Sequence, residues 1–245
     1  MNIFNAVKAI FRKKSDAAVE IPPERDNKIR DERNWLKELN KRVNKRLVWA
    51  EAQTPWLEEA YGQDFYAFLY SPDLDHTIRT KVLQRLWDIN NTYDCLDNNH
   101  WEKKHPFNFP GPFYTGESDS CGTGDGAAPL NVLYDDCAQE YVFRQPRNYA
   151  ELVCVLEAAA VEVFDSYSSD GNELWTYQEC KAWWSNKASL IHELNQAGLC
   201  EVNGGREKMY LEYLRTDAET DLRKYCYFLE HQHYPAHEKI VLPDL

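Results

Sequence analysis

The chain reads as mainly α: about seven helices in a single globular core, with one small β-hairpin and one long Gly/Pro-rich loop. Three observations carry this reading. Apolar residues recur at helical spacing over most of 26–245, breaker residues crowd into 100–130, and paired β-branched and aromatic runs occur near 131–144. With 245 residues, 43% hydrophobic and 13% aromatic, there is enough apolar material to bury a core. Residues 1–25 form a separate apolar-basic leader, set off by Ile21-Pro22-Pro23 and expected to be flexible.

From Asp26 to Gln53, Ile29, Leu36, Leu39, Val43 and Leu47 make the narrow stripe of an amphipathic helix among charged neighbours. Thr54-Pro55 supplies a cap and a first-turn proline for a helix to about Tyr70, with Glu58 and Glu59 near its positive end. Ser71-Pro72-Asp73 repeats the device for a third helix to about Leu96, with Ile78, Val82, Leu86 and Ile89 on one face. The stretch 100–130 carries Pro106, Pro110-Gly111-Pro112, Gly116, Gly122, Gly124, Gly126 and Pro129, which predicts a loop of the length that usually serves function.

Asn131 to Tyr134 and Glu140 to Arg144 form the hairpin, 131–144. Asn148 then caps a helix with Leu152, Val153, Leu156, Ala159, Ala160, Val163 and Phe164 as its apolar side. Thr176-x-x-Glu179 is a capping box for a helix that buries Cys180, Trp183, Trp184, Leu190, Ile191 and Leu194 and stops near Gly198. Asn203 and Asp217 cap two last helices, which carry Tyr210, Tyr213 and Leu214, then Leu222, Tyr225, Cys226 and Leu229.

Charge narrows the function classes. The net charge is −12, but residues 1–50 hold 13 cations against 7 carboxylates, whereas 51–245 hold 15 against 33. Residues 111–180 have only Arg144 and Arg147 against 13 carboxylates, a local net of −11. Such a field repels nucleic acid and anionic lipid and attracts basic partners. The longest nearly apolar run, Leu152 to Val163, is too short for a membrane span and is broken by Glu157 and Glu162. The opening residues place basic after apolar positions, unlike a secretory signal, so a cytoplasmic location is expected, without stable membrane insertion. The basic leader with Phe4, Val7, Ile10 and Phe11 would give at most weak membrane attachment.

Seven cysteines spaced 16 to 26 residues apart contain no Cys-x-x-Cys, and most of them, Cys154, Cys180 and Cys226 among apolar residues at helical spacing, read as small buried hydrophobes. His231, His233 and His237 near Glu230 offer three imidazoles but read as an exposed tail. Cys121 has no neighbouring base, and Cys121 to Gly126 lacks the Lys of a phosphate loop. No catalytic residue, metal or cofactor is therefore expected. The acidic set Glu117, Asp119, Asp125, Asp135, Asp136 and Glu140 reads as a solvated face, the alternative being a hydrolase that uses carboxylates of 111–140. An adaptor working through the basic first helix is a further alternative.

Three segments, Gly111 to Gly124, Gln139 to Pro146 and Asp170 to Thr176, make the C-terminal two-thirds resemble a group of bacterial proteins whose general character is similar to immunity proteins of polymorphic toxin systems. The resemblance implies a non-enzymatic protein that neutralises a cognate basic toxin domain by occluding its active surface. It transfers no catalytic residue. On this reading the partner-binding residues are Phe113, Tyr114, Glu117, Asp119, Asp125, Tyr134, Asp135, Asp136 and Glu140.

Overall fold

Two helix starts carry the side-chain caps the sequence predicts, at Asn148 and Thr176, and most of the irregular segments between helices are interior. The computed structural model describes residues 23–87, 95–235 and 239–245, without the side chains of 23–33 and Leu36. The leader, residues 88–94 of the expected third helix, and His237 lie outside the described residues. Two compact units, 1–42 and 43–245, divide within the first helix, α1 (Pro23–Glu51).

Among the described residues there are twelve α-helices, more than the seven expected, because breaker residues cut the long apolar runs into short helices. The expected helix 54–70 is two, α2 (Thr54–Tyr61) and α3 (Phe65–Leu69), divided at Gly62, whose φ of 87° ends the first turn set. Thr54 does not cap α2; its hydroxyl donates to the Glu51 carbonyl, and the side chain of Asp64 caps α3 instead. Leu74–Thr77, Ile78–Val82 and Leu83–Leu86 run on as α4, the middle five residues in π geometry.

In the stretch expected to be one long loop, the chain forms a 3₁₀ turn at Trp101–Lys103, strand β1 (Tyr114–Thr115) and helix α5 (Gly124–Ala127). The hairpin is β2 (Val132–Tyr134) against β3 (Glu140–Val142), with Leu133 opposite Tyr141. Asp135 shapes its turn: Oδ1 accepts the backbone N–H of Cys137 and of Gln139, and Ala138 sits at φ 62°. Helix α6 (Tyr149–Val161) begins where Asn148 accepts the Glu151 N–H at 2.9 Å. It is apolar on nearly every face and is buried from Tyr149 to Leu156, as such a helix must be.

Strand β4 (Tyr167–Ser168) pairs antiparallel with β1, a second small sheet that the sequence reading omits. A short α7 (Gly171–Leu174) follows, then α8 (Tyr177–Ser185), opened by the Thr176–Glu179 capping box. The run expected to reach Gly198 breaks into α8 and α9 (Lys187–Leu194), followed by α10 (Ala197–Asn203). Asn203 ends α10 rather than capping the next helix; its amide bridges the N–H and carbonyl of Tyr134. Helices α11 (Glu207–Arg215) and α12 (Ala218–His231) complete the second unit. The tail returns to the body: Tyr234 stacks on Tyr70 at 4.1 Å, and Arg223 donates to the carbonyls of Leu242 and Pro243.

The interior segments between helices hold together through buried amides. Asn108, 1% exposed, accepts the N–H of Thr115 and of Val142 on Oδ1 and donates to the carbonyls of His105 and Thr115. Gln145 does the same for Phe109 and Phe113. Gly171 approaches so closely that an added Cβ would lie 2.1 Å from the Gly111 carbonyl oxygen, and its N–H donates to Pro112. An unmade buried hydrogen bond costs about 1–3 kcal/mol, so Asn108→Ala, which abandons several, is expected to destabilise by about 3–4 kcal/mol. Urea unfolding of that variant beside the parent chain measures it, and a loss under about 1 kcal/mol would show that the amide is not what joins these segments.

Candidate functional site

Of the 13 carboxylates between 111 and 180, only Glu117, Asp136, Asp165 and Glu173 are exposed. The expected partner-binding set therefore divides. Phe113, Tyr114, Tyr134 and Glu140 are in the core at 0–4% exposure, and Asp119 is 3% exposed, so none of the five can be a surface contact. The two small sheets put Tyr114, Tyr134 and Glu140 on inward strands, and Phe113 and Asp119 lie in covered chain between the elements. Asp125 and Asp135 are half-buried, while Glu117 and Asp136 face solvent.

The interior carboxylates serve as acceptors for backbone. Glu162, the residue after α6, takes the N–H of Asp119 on Oε1 and those of Phe164 and Ser166 on Oε2. Asp119 in turn accepts from Cys121 N at 2.6 Å and Val163 N at 3.2 Å. Glu140 accepts the N–H that opens α5, Gly124, at 2.7 Å and the Tyr167 hydroxyl at 2.6 Å. Burial pushes its carboxyl up to about 7; these two hydrogen bonds oppose the shift, and the charges of Asp119 and Glu162 add to it. Other carboxylates are offset by cations, Asp125 by Arg206 at 2.5 Å, Glu151 by Arg144 at 3.2 Å and Glu157 by Arg46 at 2.8 Å. The −11 local charge is thus mostly internal.

Two of the exposed acids, Glu117 and Asp136, line a cleft of about 260 Å³ together with half-buried Asp135 and exposed Glu193, with Lys103 as its cation and Phe107 and Leu199 among its apolar wall. At its edge His105 faces Asp135 at 3.1 Å. The His105 Nδ1 accepts the Phe107 N–H, so the ring proton belongs on Nε2 and is donated to Asp135. With both nitrogens engaged and the ring stacked on Tyr141, the pair braces the hairpin turn and offers no free lone pair for a substrate proton. Burial alone would raise the Asp135 carboxyl, but the His105 and backbone hydrogen bonds outweigh it and hold it below the usual range.

Beside the cleft lies a turn that cuts the predicted helix short. Val163 and Phe164 were expected on the apolar side of a helix, but α6 ends at Val161 and both side chains are 65% exposed. The turn 162–166 adjoins the cleft through Gly116, which lines the cleft and donates its N–H to Ser166 O at 2.9 Å. A Cβ at Gly116 would lie 2.7 Å from the His100 ring, so glycine is needed for this approach. His100 Nε2 lies 3.0 Å from the Asp165 carbonyl oxygen. A helical apolar pattern continues through Phe164, and no local signal separates the turn from the helix.

Cys95, Cys154, Cys180 and Cys226 are buried as expected, whereas Cys121, Cys137 and Cys200 are exposed. Asp135, Asp136 and Cys137 place ligand atoms within 4.8 Å of one another, a proximity the hairpin turn itself accounts for. His231 and His233 are exposed, with the His231 ring against Tyr227. Among the described residues no helix is long and apolar enough to cross a membrane. Comparison with protein-family models, curated proteins and solved structures gave no match to this chain.

Because the folded Glu140 pKa of about 7 exceeds the ordinary 4.5, the folded state holds a proton that the unfolded chain releases between those values. Stability is therefore expected to rise as pH falls from 8 towards 5, by up to about 3 kcal/mol from this group. Glu140→Gln keeps the acceptor for Gly124 and removes the charge, so it should raise stability at pH 8 and flatten the slope. Unfolding midpoints of both chains from pH 5 to 8 measure this; parallel curves would show that Glu140 is not the titrating group.

Proposed function

We propose that this chain is a non-enzymatic acidic binding protein that engages a basic protein partner at the cleft beside the hairpin turn. Its similarity to immunity proteins makes a cognate toxin domain the partner of choice, neutralised by occlusion of its active surface. The observation that carries the reading is the convergence of Glu117, Asp135, Asp136 and Glu193 on one cleft against a single lysine. Fixed like charges of this kind raise encounter rates with a cationic surface and make them sensitive to salt.

The hydrolase alternative needs a carboxylate pair within reach of a substrate. Asp119 and Glu140 are covered and accept hydrogen bonds on both oxygens, and His105 has no free nitrogen, so these groups support structure instead.

Two measurements test the proposal. Co-expression with the product of the neighbouring reading frame should relieve any toxicity that product has alone. With the purified pair, Glu117→Gln, Asp136→Asn and Glu193→Gln together should lower the association rate about tenfold at low salt and flatten its salt dependence. The three side chains are exposed, and the melting temperature is expected to stay near that of the parent chain. An association rate indifferent both to these substitutions and to ionic strength would overturn the acidic cleft as the binding site.

A further inference from the structure

We infer that the Val163–Phe164 turn is a preorganised apolar anchor that seats in an apolar, cation-rimmed pocket of a protein partner. This rests on the binding reading above and adds the group that would retain the partner after charge has steered it in. Single exposed apolar side chains are ordinary on protein surfaces. The support beneath this pair is not ordinary.

Three of the turn's backbone N–H groups, from Val163, Phe164 and Ser166, end on the carboxylates of Asp119 and Glu162. Those carboxylates are 3% and 1% exposed, and Glu140 is buried close enough for their charges to raise its carboxyl. Gathering three acids in the interior opposes folding, by desolvation and by mutual repulsion. Asp165 adds a residue at φ 51°, a left-handed turn conformation that Asp tolerates, and His100 Nε2 lies 3.0 Å from its carbonyl oxygen. All of this fixes the backbone of a turn whose two apolar side chains point to water. A segment held this way loses little conformational entropy on docking, which is what an anchor residue requires.

Charge selects the occupant. Exposed Asp165 sits on the turn, and exposed Glu117 follows the Gly116 that is hydrogen-bonded to it. An anionic lipid surface is repelled by that set, and a second copy would bring two such acidic turns together. A protein with an apolar pocket and a basic rim is complementary to both the side chains and the field. The turn is also continuous with the acidic cleft through residues 116 and 117, so one partner surface spans the two. An apolar centre inside a charged margin is the usual arrangement of a binding hot spot.

The test places a photo-reactive benzoylphenylalanine at 164 in the full chain, in the cells that make it. Irradiation should yield a cross-link to a protein of net positive charge, and the same group at exposed Val241 should not. Capture is then followed by kinetics with that protein purified. Phe164→Ala should raise the dissociation rate by about 10- to 30-fold and leave association unchanged, while Glu117→Gln with Asp136→Asn slows association. The turn is held by backbone groups that Phe164→Ala leaves in place, so an unchanged melting temperature checks folding. A cross-link to a second copy, to lipid alone or to nothing overturns the anchor. So does a dissociation rate that Phe164→Ala leaves unmoved; if the charge variants still slow association in that case, only the anchor falls, and if neither class has an effect, the binding reading falls with it.

Discussion

The structure depends on one constraint, that backbone removed from water must be hydrogen-bonded even where no helix or sheet supplies the partner. Residues 105–124 and 162–172 are largely covered but hold only two-residue strands and single helical turns. Side chains make up the difference. Asn108 and Gln145 mimic a missing strand for 105–115, and Glu162, Asp119 and Glu140 collect the N–H groups of 119–124 and 163–166. Helix α6 passes alongside as an apolar support whose cap, Asn148, and terminal acid, Glu162, are both used in this way.

That arrangement changes what the acidity means. A carboxylate that accepts two or three backbone N–H groups is compensated locally and contributes little to the outer field, at a cost in desolvation. Glu140 shows the limit, since burial beside two other acids leaves it able to take up a proton near neutral pH. Arginines 46, 144 and 206 balance three more acids on or just below the surface. Within 111–180 the outward acidity is confined to Glu117, Asp136, Asp165 and Glu173, and the first two meet exposed Glu193 at one cleft.

On the proposed reading, rigidity and recognition are linked. The network that satisfies the interior backbone also fixes the edge of the cleft, through Asp135 and His105, and the exposed turn at Val163–Phe164. In the proposed binding mode, steering by Glu117 and Asp136 would act before contact and be screened by salt, whereas an apolar side chain on a fixed turn would act after contact. The two features have different physical origins, one electrostatic and one apolar.

Local chemistry was enough to read the mainly helical character, the hairpin at 131–144, the Asn148 cap and the Thr176–Glu179 capping box, because periodicity, turn residues and caps act over a few positions. It also marked 100–130 as unlike its surroundings, but composition cannot tell an exposed loop from buried irregular chain. Only the tertiary structure decided that Phe113, Tyr114, Tyr134 and Glu140 turn inward, that Val163 and Phe164 turn outward, and that Glu117, Asp136 and Glu193 share a cleft. Those outcomes depend on partners far away in sequence, Asn108 with Val142, Tyr134 with Asn203 and Glu140 with Tyr167. Residue type sets what a side chain can accept or donate, and the fold sets whether the group it meets is backbone, another charge or water.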